Sequence, residues 1–283
     1  MKILITGSTG FIGRNLKEYF QERYDDLHCP KRLDLNLLDA QAVYDYIIPK
    51  HFDVVIHCAV TLASVEQNLK MYFNVERCAS SFGKMICLGS GAEYDMRYYV
   101  PKMKEEYFGA HVPAEIYGFS KYVIAKDIES RHRNLFNLRG FGIYGKYEDY
   151  THRFISNNIC RVLSGCDISI RRNMVFDYVY VKDLARIVEM FVQKAPAERS
   201  YNICNRNPLD LLTYAKIIQK VDGRDVPIVI KAEGNNPEYS GDNTRFTREF
   251  GEFSFTPAEE AVKELYQWYK ESSGIAFDPA LFA

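Results

Sequence analysis

The sequence predicts an α/β fold in which a doubly wound parallel sheet is followed by a smaller C-terminal lobe. Two observations lead to this class. Short apolar runs alternate with longer amphipathic stretches through the first half of the chain, and a glycine-rich turn directly follows the first apolar run. Alternation of this kind is typical of βαβ units, whose helices cover both faces of a parallel sheet.

The predicted strands of the first half are nearly continuous apolar runs, as expected for strands that are buried on both faces. They are KILIT (2–6), DLHC (26–29), DVVIHCA (53–59), KMICLGS (84–90) and NLFNLRG (134–140). The stretches between them have the length and patterning of helices. Together these elements predict a dinucleotide-binding domain over residues 1–145.

The alternation loosens in the second half. Helices are predicted for HRFISNNICRVLSG, LDLLTYAKIIQKV and PAEEAVKELYQWYKES, and strands for DISIRR and VPIVIK. The phrase FDYVYVKDLARIVEMFVQKA predicts one return of the chain to the sheet at about residues 176–195. We therefore expect residues 146–175 and 196–283 to form the smaller lobe, which binds the substrate.

Composition and charge exclude several classes of function. The 36 basic and 37 acidic side chains give a formal net charge of -1, which offers no electrostatic attraction to nucleic acid or to an anionic membrane. No apolar run approaches the ~18 residues of a membrane helix. The seven cysteines form no CxxC pair, so no metal site is expected. We expect a reduced, cytoplasmic protein that acts on a small molecule.

The stretch TGSTGFIG predicts a dinucleotide site. It places three glycines between a strand and a helix, where glycine permits a tight turn and close approach to a pyrophosphate, and where the helix presents free N–H groups. The predicted contacts are Gly7, Thr9, Gly10, Phe11, Ile12 and Gly13, with Ala59 after the third strand.

The stretch YGFSK predicts a proton-transfer site. Tyr117 and Lys121 lie four residues apart and share a helix face. An ammonium group favours the phenolate form of a neighbouring tyrosine, which suits the phenol to acid–base work. Ser90, at the end of a predicted strand, would add a hydrogen bond to the substrate oxygen. A surface tyrosine and lysine at this spacing are common, so the motif depends on the glycine turn and Ser90 for its meaning.

These motifs together resemble the extended short-chain dehydrogenase/reductase family. TGxxGxxG, a serine 27 residues before YxxxK, and the phrase FDYVYVKDLA carry the resemblance, which runs from Met1 to about Trp268. It identifies the NAD-dependent epimerase/dehydratase group, which acts largely on nucleotide sugars. The resemblance implies a Rossmann-type domain, Tyr117 as general acid/base, Lys121 as its partner and ribose ligand, and Ser90 as the carbonyl anchor, with hydride passing to or from nicotinamide.

The segment Ser90–Tyr94 narrows the reaction. Dehydratases of the family carry a glutamate at the position of Ala92, often after an aspartate at the position of Gly91. The GDP-fucose synthase branch, which the stretch KRLDLNLLDAQAVYDYI resembles, carries a cysteine there and pairs it with a histidine, for which His152 is the candidate. Without a second proton-transfer group, simple 4-keto reduction and C4 epimerisation remain.

The residues after the second strand favour NADP(H), with NAD(H) still possible. Lys31 and Arg32 suit a ribose 2′-phosphate, whereas Asp34 just beyond them suits a free 2′-hydroxyl. Two solvated turn charges are the alternative interpretation. A releasable NADPH fits a reductase, while a C4 epimerase keeps NAD bound. The reductase is therefore the leading hypothesis.

Two departures from the family bear on the substrate. Gly142 replaces an asparagine that helps to hold nucleotide sugars, and Phe176 replaces an arginine that binds the diphosphate. The candidate replacements are Arg171, Arg172 and Arg245. A nucleotide sugar remains the expected substrate; a non-sugar ketone and a non-catalytic dinucleotide-binding protein are the alternatives. A homodimer is expected through residues 64–82 and 116–132.

Overall fold

The computed structural model describes residues 1–131 and 134–272. Its strands are β1 (Ile3–Thr6), β2 (Leu27–His28), β3 (Val54–His57), β4 (Lys84–Ser90), β5 (Leu135–Gly140), β6 (Gly142–Tyr144), β7 (Ile168–Ile170), β8 (Val175–Phe176), β9 (Tyr178–Tyr180), β10 (Ser200–Ile203), β11 (Leu209–Asp210) and β12 (Ile228–Ile230). Its α-helices are α1 (Phe11–Gln21), α2 (Ala40–Ile47), α3 (Val65–Glu76), α4 (Ile116–Ser130), α5 (Phe154–Leu163), α6 (Val181–Gln193), α7 (Leu211–Asp222), α8 (Thr244–Phe250) and α9 (Ala258–Glu271).

The main sheet has six parallel strands in the order β10-β5-β4-β3-β1-β2. This arrangement confirms the predicted α/β class with a doubly wound parallel sheet. The register aligns Thr6 with His57, Ser90 with Gly140, and Gly140 with Ile203. The carboxyl ends of the strands therefore share one edge, which is where open parallel sheets bind their ligands.

Both faces of the sheet are buried because side chains alternate along each strand. Ile3 and Ile5 pack on one face with residues of α1 and α6, while Leu4 packs on the other face with residues of α2, α3 and α4. Each face is apolar, so the strands read as continuous apolar runs rather than alternating ones.

The return of the chain to the sheet extends further than predicted. The prediction placed it at 176–195, but β10 at residues 200–203 adds a sixth strand beside β5. This strand is short and contains Asn202, whose amide is buried and donates to the carbonyl oxygen of Met103 at 2.9 Å. A polar residue that is fully bonded inside the core gives no apolar signal in the sequence.

The smaller lobe packs α5, α7 and α9 around its own apolar core. Strand β7 pairs with β12, β8 pairs with β11, and β6 pairs with β9. Residues 273–283 of the predicted lobe lie outside the described part of the chain. Within the described residues, no helix has both the length and the apolar composition needed to cross a membrane.

Candidate active site

The glycine turn joins β1 to α1 by backbone contacts that exclude side chains. Gly7 has φ of 70°, and a Cβ atom on it would lie 2.6 Å from the Ala59 nitrogen. A Cβ on Gly13 would lie 2.2 Å from the Gly7 carbonyl oxygen. Gly10 differs, because a Cβ there would meet only that same oxygen at 3.4 Å. Gly7 and Gly13 therefore serve packing, whereas Gly10 leaves the backbone open on the ligand side.

The amino end of α1 can hold a phosphate. Gly10 is its N-cap and makes no side-chain capping bond, so the first N–H groups of the helix, including those of Phe11 and Ile12, have no side-chain acceptor. Thr9 and Gly10 are exposed beside them. An uncapped helix terminus behind an open glycine is the arrangement that binds pyrophosphate. The residues present therefore fit a dinucleotide cofactor.

The loop after β2 lies against the same turn. The Ser8 hydroxyl donates to the carbonyl oxygens of Cys29 and Pro30, each at 3.2 Å. Asp34 accepts a hydrogen bond from the Lys31 backbone N–H at 3.0 Å, so its carboxylate closes this loop. The side chains of Lys31 and Arg32 are exposed and form no ion pair within the described residues. Both basic groups are therefore available to an anion beside the glycine turn.

Ser90 ends β4 and begins a single 3₁₀ turn at Gly91–Glu93. Its hydroxyl oxygen accepts from the Ala92 N–H at 3.1 Å, and its own N–H donates to Glu93 at 2.9 Å. The hydroxyl oxygen is thus held in place while its proton stays available to a substrate oxygen.

Glu93 is directed into the core, beneath this turn. It pairs with Arg139 at 2.5 Å and accepts from the Asn137 amide at 2.8 Å. Arg139 is fully buried and also bonds Glu129 at 2.7 Å. This network was not predicted, although an arginine within the apolar run NLFNLRG is a signal for a buried partner. Glu93 therefore supports Ser90 from behind and does not replace the acid that dehydratases carry.

Helix α4 brings Tyr117 and Lys121 to the same turn. A Cβ on Gly118 would lie 2.5 Å from the Ala92 carbonyl oxygen, so the first turn of α4 contacts the backbone beside Ser90. The Lys121 Nζ lies 5.9 Å from the centre of the Tyr117 ring and donates to the Leu88 carbonyl oxygen at 2.5 Å. The structure thus groups Ser90, Tyr117 and Lys121 at the carboxyl end of β4.

His57, at the end of β3, was not predicted as part of this environment. Burial lowers the pKa of His57 to about 3, and the positive charge of Lys121 acts in the same direction. Its Nδ1 lies 2.9 Å from the Thr6 hydroxyl. His57 is therefore neutral at physiological pH.

The two departures from the family pattern share one contact. A Cβ on Gly142 would lie 2.4 Å from Cε1 of Phe176 and 2.7 Å from the Asp177 carbonyl oxygen. The phenylalanine ring fills the space in which a side chain at position 142 would stand. The glycine at position 142 and the phenylalanine at position 176 are therefore coupled by packing, because the ring occupies the space that the glycine leaves.

An aromatic wall, formed by Phe141, Phe176, Tyr178 and Tyr239, extends from this contact. The ring centre of Phe176 lies 4.6 Å from that of Tyr178 and 4.8 Å from that of Tyr239, which lies 5.2 Å from that of Phe141. The Tyr239 hydroxyl reaches Gly91, where a Cβ would lie 2.2 Å from it. The wall was not predicted because Phe141 and Tyr239 are far in the sequence from the pair Phe176 and Tyr178.

The predicted substrate residues lie in different places. Ala92 lies in the Ser90 turn, whereas the Arg171 and Arg172 side chains are exposed after β7 and form no ion pair within the described residues. The His152 side chain is 80% exposed and pairs with Asp149 at 2.9 Å. Within the described part of the chain, none of these three basic side chains bonds to Ser90 or Tyr117.

Arg245 bonds to protein groups at the amino end of β10. It donates to the Ser200 carbonyl oxygen at 3.1 Å and to Glu106 at 3.4 Å. Ser200 is at the amino end of β10, three residues or about 10 Å from the edge that carries Ser90. Composition cannot distinguish a guanidinium engaged there from one that faces a ligand. The described residues also contain no group of three or more His, Cys, Asp or Glu side chains that could hold a metal ion.

Comparisons with known proteins identify a family and related folds. A sequence model described as the NAD dependent epimerase/dehydratase family matches residues 3–204. The chain is 28% identical to methionine adenosyltransferase 2 subunit beta of Danio rerio over 214 residues, which are 70% of this chain and 66% of that protein.

Two solved structures share the fold. A GDP-L-fucose synthetase from Naegleria fowleri bound to NADP has a TM-score of 0.82 at 18% identity, over 98% of this chain and 96% of that one. UDP-glucose 4-epimerase of Thermotoga maritima with UDP-glucose has a TM-score of 0.81 at 20% identity, over 96% and 99% of the two chains.

Proposed function

The chain belongs to the NAD dependent epimerase/dehydratase family, and on that premise we propose that it reduces the keto group of a nucleotide-linked 4-keto-deoxysugar. It is an NAD(P)-dependent enzyme of the short-chain dehydrogenase/reductase type. The observation that carries the proposal is the grouping of Ser90, Tyr117 and Lys121 around a turn whose one other ionisable side chain, Glu93, is engaged by Arg139.

Each of the three residues has a distinct task in this reaction. The Ser90 hydroxyl donates a hydrogen bond to the keto oxygen, and Tyr117 transfers its phenolic proton to that oxygen. Lys121, buried beside Tyr117, stabilises the phenolate that remains. A nicotinamide dinucleotide held at the glycine turn would supply the hydride for the carbonyl carbon.

The 3₁₀ turn favours simple reduction over elimination of water. Elimination needs a second acid–base pair, and Gly91 and Ala92 carry no ionisable group. The remaining carboxylate of the turn, Glu93, is engaged with Arg139. A reduction that uses Ser90 and Tyr117 needs neither of the missing groups.

NADPH is the proposed reductant. The support is the pair of exposed basic residues, Lys31 and Arg32, beside the glycine turn, because a guanidinium matches the geometry of a phosphate. The similar GDP-L-fucose synthetase from Naegleria fowleri was solved with NADP. NAD remains the alternative, since Asp34 lies in the same loop.

Three alternatives to this function each have an observation behind them. The similarity to UDP-glucose 4-epimerase of Thermotoga maritima favours a C4 epimerase, which would purify with NAD bound. Methionine adenosyltransferase 2 subunit beta is by its name a subunit of another enzyme, and the similarity to it keeps the non-catalytic dinucleotide-binding protein as an alternative. The aromatic contact at Gly142 and Phe176 keeps a non-sugar ketone open as the substrate. Absence of bound NAD together with reduction of a keto sugar would separate the proposal from all three.

The proposed enzyme is a cytoplasmic homodimer. Its cysteines are free thiols, and Ile116 and Phe119 of α4 are 54% and 37% exposed. Burying these side chains against a second copy would remove apolar surface from water. Sedimentation of the purified protein tests the dimer, and Phe119→Glu should yield monomers, with Lys126→Glu on the same helix as the control.

The decisive experiment combines cofactor binding with turnover. Fresh protein is checked for bound dinucleotide and titrated with NADPH and NADH. It is then mixed with NADPH and 4-keto-6-deoxysugars linked to GDP, UDP, dTDP or CDP. We expect reduction of at least one sugar and a loss of about 1000-fold in kcat for Tyr117→Phe, with cofactor affinity unchanged. Activity retained in Tyr117→Phe, or no turnover of any keto sugar, would refute the proposal.

A further inference from the structure

Tyr239 is held rigidly between the smaller lobe and the proposed active site. Its N–H donates to the Val175 carbonyl oxygen at 2.9 Å, and its carbonyl oxygen accepts from the Asp177 N–H at 2.8 Å. Two backbone bonds on opposite sides of Phe176 fix the segment against β8. The ring, packed on Phe176 and Phe141, consequently has one available direction.

That direction brings the hydroxyl to the turn that bears Ser90. Its oxygen occupies the space left by the missing side chain of Gly91, where a Cβ would lie only 2.2 Å away. Gly91 is the residue between Ser90 and Ala92, and the first turn of α4 lies against Ala92. The hydroxyl of Tyr239 and the phenol of Tyr117 therefore approach the same turn from two different domains.

The Tyr239 hydroxyl forms no hydrogen bond with the described residues, and although the residue is only 8% exposed, this oxygen is not among the fully enclosed unpartnered atoms, so a ligand can reach it. The neighbouring phenol of Tyr94 is buried too, but donates to Asn202 at 2.9 Å. Buried phenols normally find a partner. Burial raises the pKa of Tyr239, and Tyr117 adds to that effect, so the group stays protonated and can donate.

We propose that Tyr239 is a substrate-binding residue whose hydroxyl donates a hydrogen bond to the oxygen on the carbon next to the keto group. This inference rests on the proposed reductase function. Tyr117 and Ser90 engage the keto oxygen, and a second phenol beside them is placed to meet the neighbouring oxygen of a sugar. The aromatic wall thus contributes a polar contact from Tyr239, and this contact selects substrates that carry that oxygen.

The test uses a pair of substrates that differ at this one oxygen. Wild-type protein is first assayed with the four nucleotide-linked 4-keto-6-deoxysugars, and one that it reduces is compared with its 3-deoxy counterpart. Tyr239→Phe should raise KM about tenfold for the 3-hydroxy sugar, with kcat within about twofold, and leave both constants unchanged for the 3-deoxy sugar. Tyr94→Phe, which removes a bonded phenol, is the matched control and should change neither KM.

Gly91→Ala tests the contact of the Tyr239 hydroxyl by a second substitution. Its Cβ would displace the Tyr239 oxygen, so it should raise KM for the 3-hydroxy sugar as Tyr239→Phe does. Added to Tyr239→Phe, it should raise KM no further, because the contact is already lost.

Three outcomes would overturn the inference. An equal loss on both sugars would show that Tyr239 only supports packing, and an unchanged KM on the 3-hydroxy sugar would show that the hydroxyl makes no contact. If the wild type reduces none of the four sugars, the proposed function fails first and this inference fails with it. The wild-type assay therefore distinguishes the two failures.

Discussion

In the glycine turn, backbone atoms of adjacent segments determine the geometry, because Gly13 packs on Gly7 and Gly7 packs on Ala59. On the substrate side, by which we mean the aromatic wall and the Ser90 turn, side chains from distant segments determine the geometry. Phe176 fills the space over Gly142, and the Tyr239 hydroxyl reaches Gly91. The first arrangement can change only through its glycines. The second can be rebuilt by exchanging side chains in pairs, so a family can keep one cofactor and vary its substrates.

The glycine turn should be the less tolerant of the two regions. Gly13→Ala puts a Cβ 2.2 Å from a backbone oxygen that cannot move aside, so we expect a loss of about 3 kcal/mol in the free energy of unfolding. Gly10→Ala is the control, because its Cβ meets only one atom at 3.4 Å. It should keep its stability within about 0.5 kcal/mol but bind NADPH at least about tenfold more weakly.

Urea denaturation and cofactor titration of both variants check this prediction. Equal destabilisation by the two substitutions would show that Gly10 and Gly13 are equally constrained by packing, and would contradict the prediction.

The two regions should also respond oppositely to pH. Burial raises the pKa of Glu148 in the smaller lobe to about 8. Between about pH 4.5 and pH 8, the folded protein therefore keeps a proton on this carboxyl that the unfolded chain has released. Stability therefore falls as pH rises from about 4.5 to about 8, and the cost reaches about 3 kcal/mol at pH 7. Glu148→Gln should remove this cost.

His57, on the cofactor side, should give the opposite trend. Its folded pKa of about 3 lies below the 6.5 of the unfolded chain, so the unfolded state alone gains a proton as pH falls through that window. The cost is about 2 kcal/mol at pH 5, and His57→Gln should remove it. Urea denaturation at pH 5, 7 and 8 compares the two variants with the wild type; parallel pH profiles for all three proteins would contradict both assignments.

The paired contact of the substrate side should show coupling. Gly142→Asn alone places a side chain against the Phe176 ring and should cost about 2 kcal/mol of stability. In a Phe176→Ala background, the same change should cost at least about 1 kcal/mol less. Thermal or urea unfolding of the four proteins completes the cycle, and strictly additive effects would show that the two positions are independent.

The smallest expected effect concerns the loop after β2. Arg32→Ala should weaken NADPH about tenfold and leave NADH within about twofold, because only NADPH carries the 2′-phosphate. Parallel fluorescence titrations measure both affinities. Arg23→Ala, at an arginine in the turn that follows α1, is the matched control. Equal weakening of both cofactors would assign Arg32 a general electrostatic role.

The same contrast explains how far the sequence could be read. The strand, glycine turn and helix at residues 3–21 were predictable because the residues that form them are neighbours in the sequence. Each glycine of the turn is required by a contact with, or an opening beside, the backbone next to it. The pair Tyr117 and Lys121 was accessible for the same reason, since helical spacing places them on one face. Grouping Ser90 with Tyr117 and Lys121 needed a further step, namely that the carboxyl ends of parallel strands lie at one edge of the sheet.

The rest depends on contacts between distant residues. The role of Tyr239 requires knowing that residues 91 and 239 meet, and no pattern along the chain contains that information. Arg245 was a reasonable ligand candidate by chemistry, yet its guanidinium is engaged by Ser200 and Glu106. Strand β10 was not predicted because it contains Asn202, a polar residue that interrupts the apolar run. The Asn202 amide is hydrogen-bonded inside the core, which the sequence does not reveal.

The contact between Gly142 and Phe176 also constrains the evolutionary order in which such a site can arise. A lineage that started with asparagine and arginine could not acquire the phenylalanine while the asparagine remained without a clash. Loss of the asparagine side chain would come first and leave a tolerated gap, and the ring would then fill it. Once filled, the gap blocks direct reversal at position 142, so homologues should contain the glycine without the phenylalanine more often than the phenylalanine without the glycine.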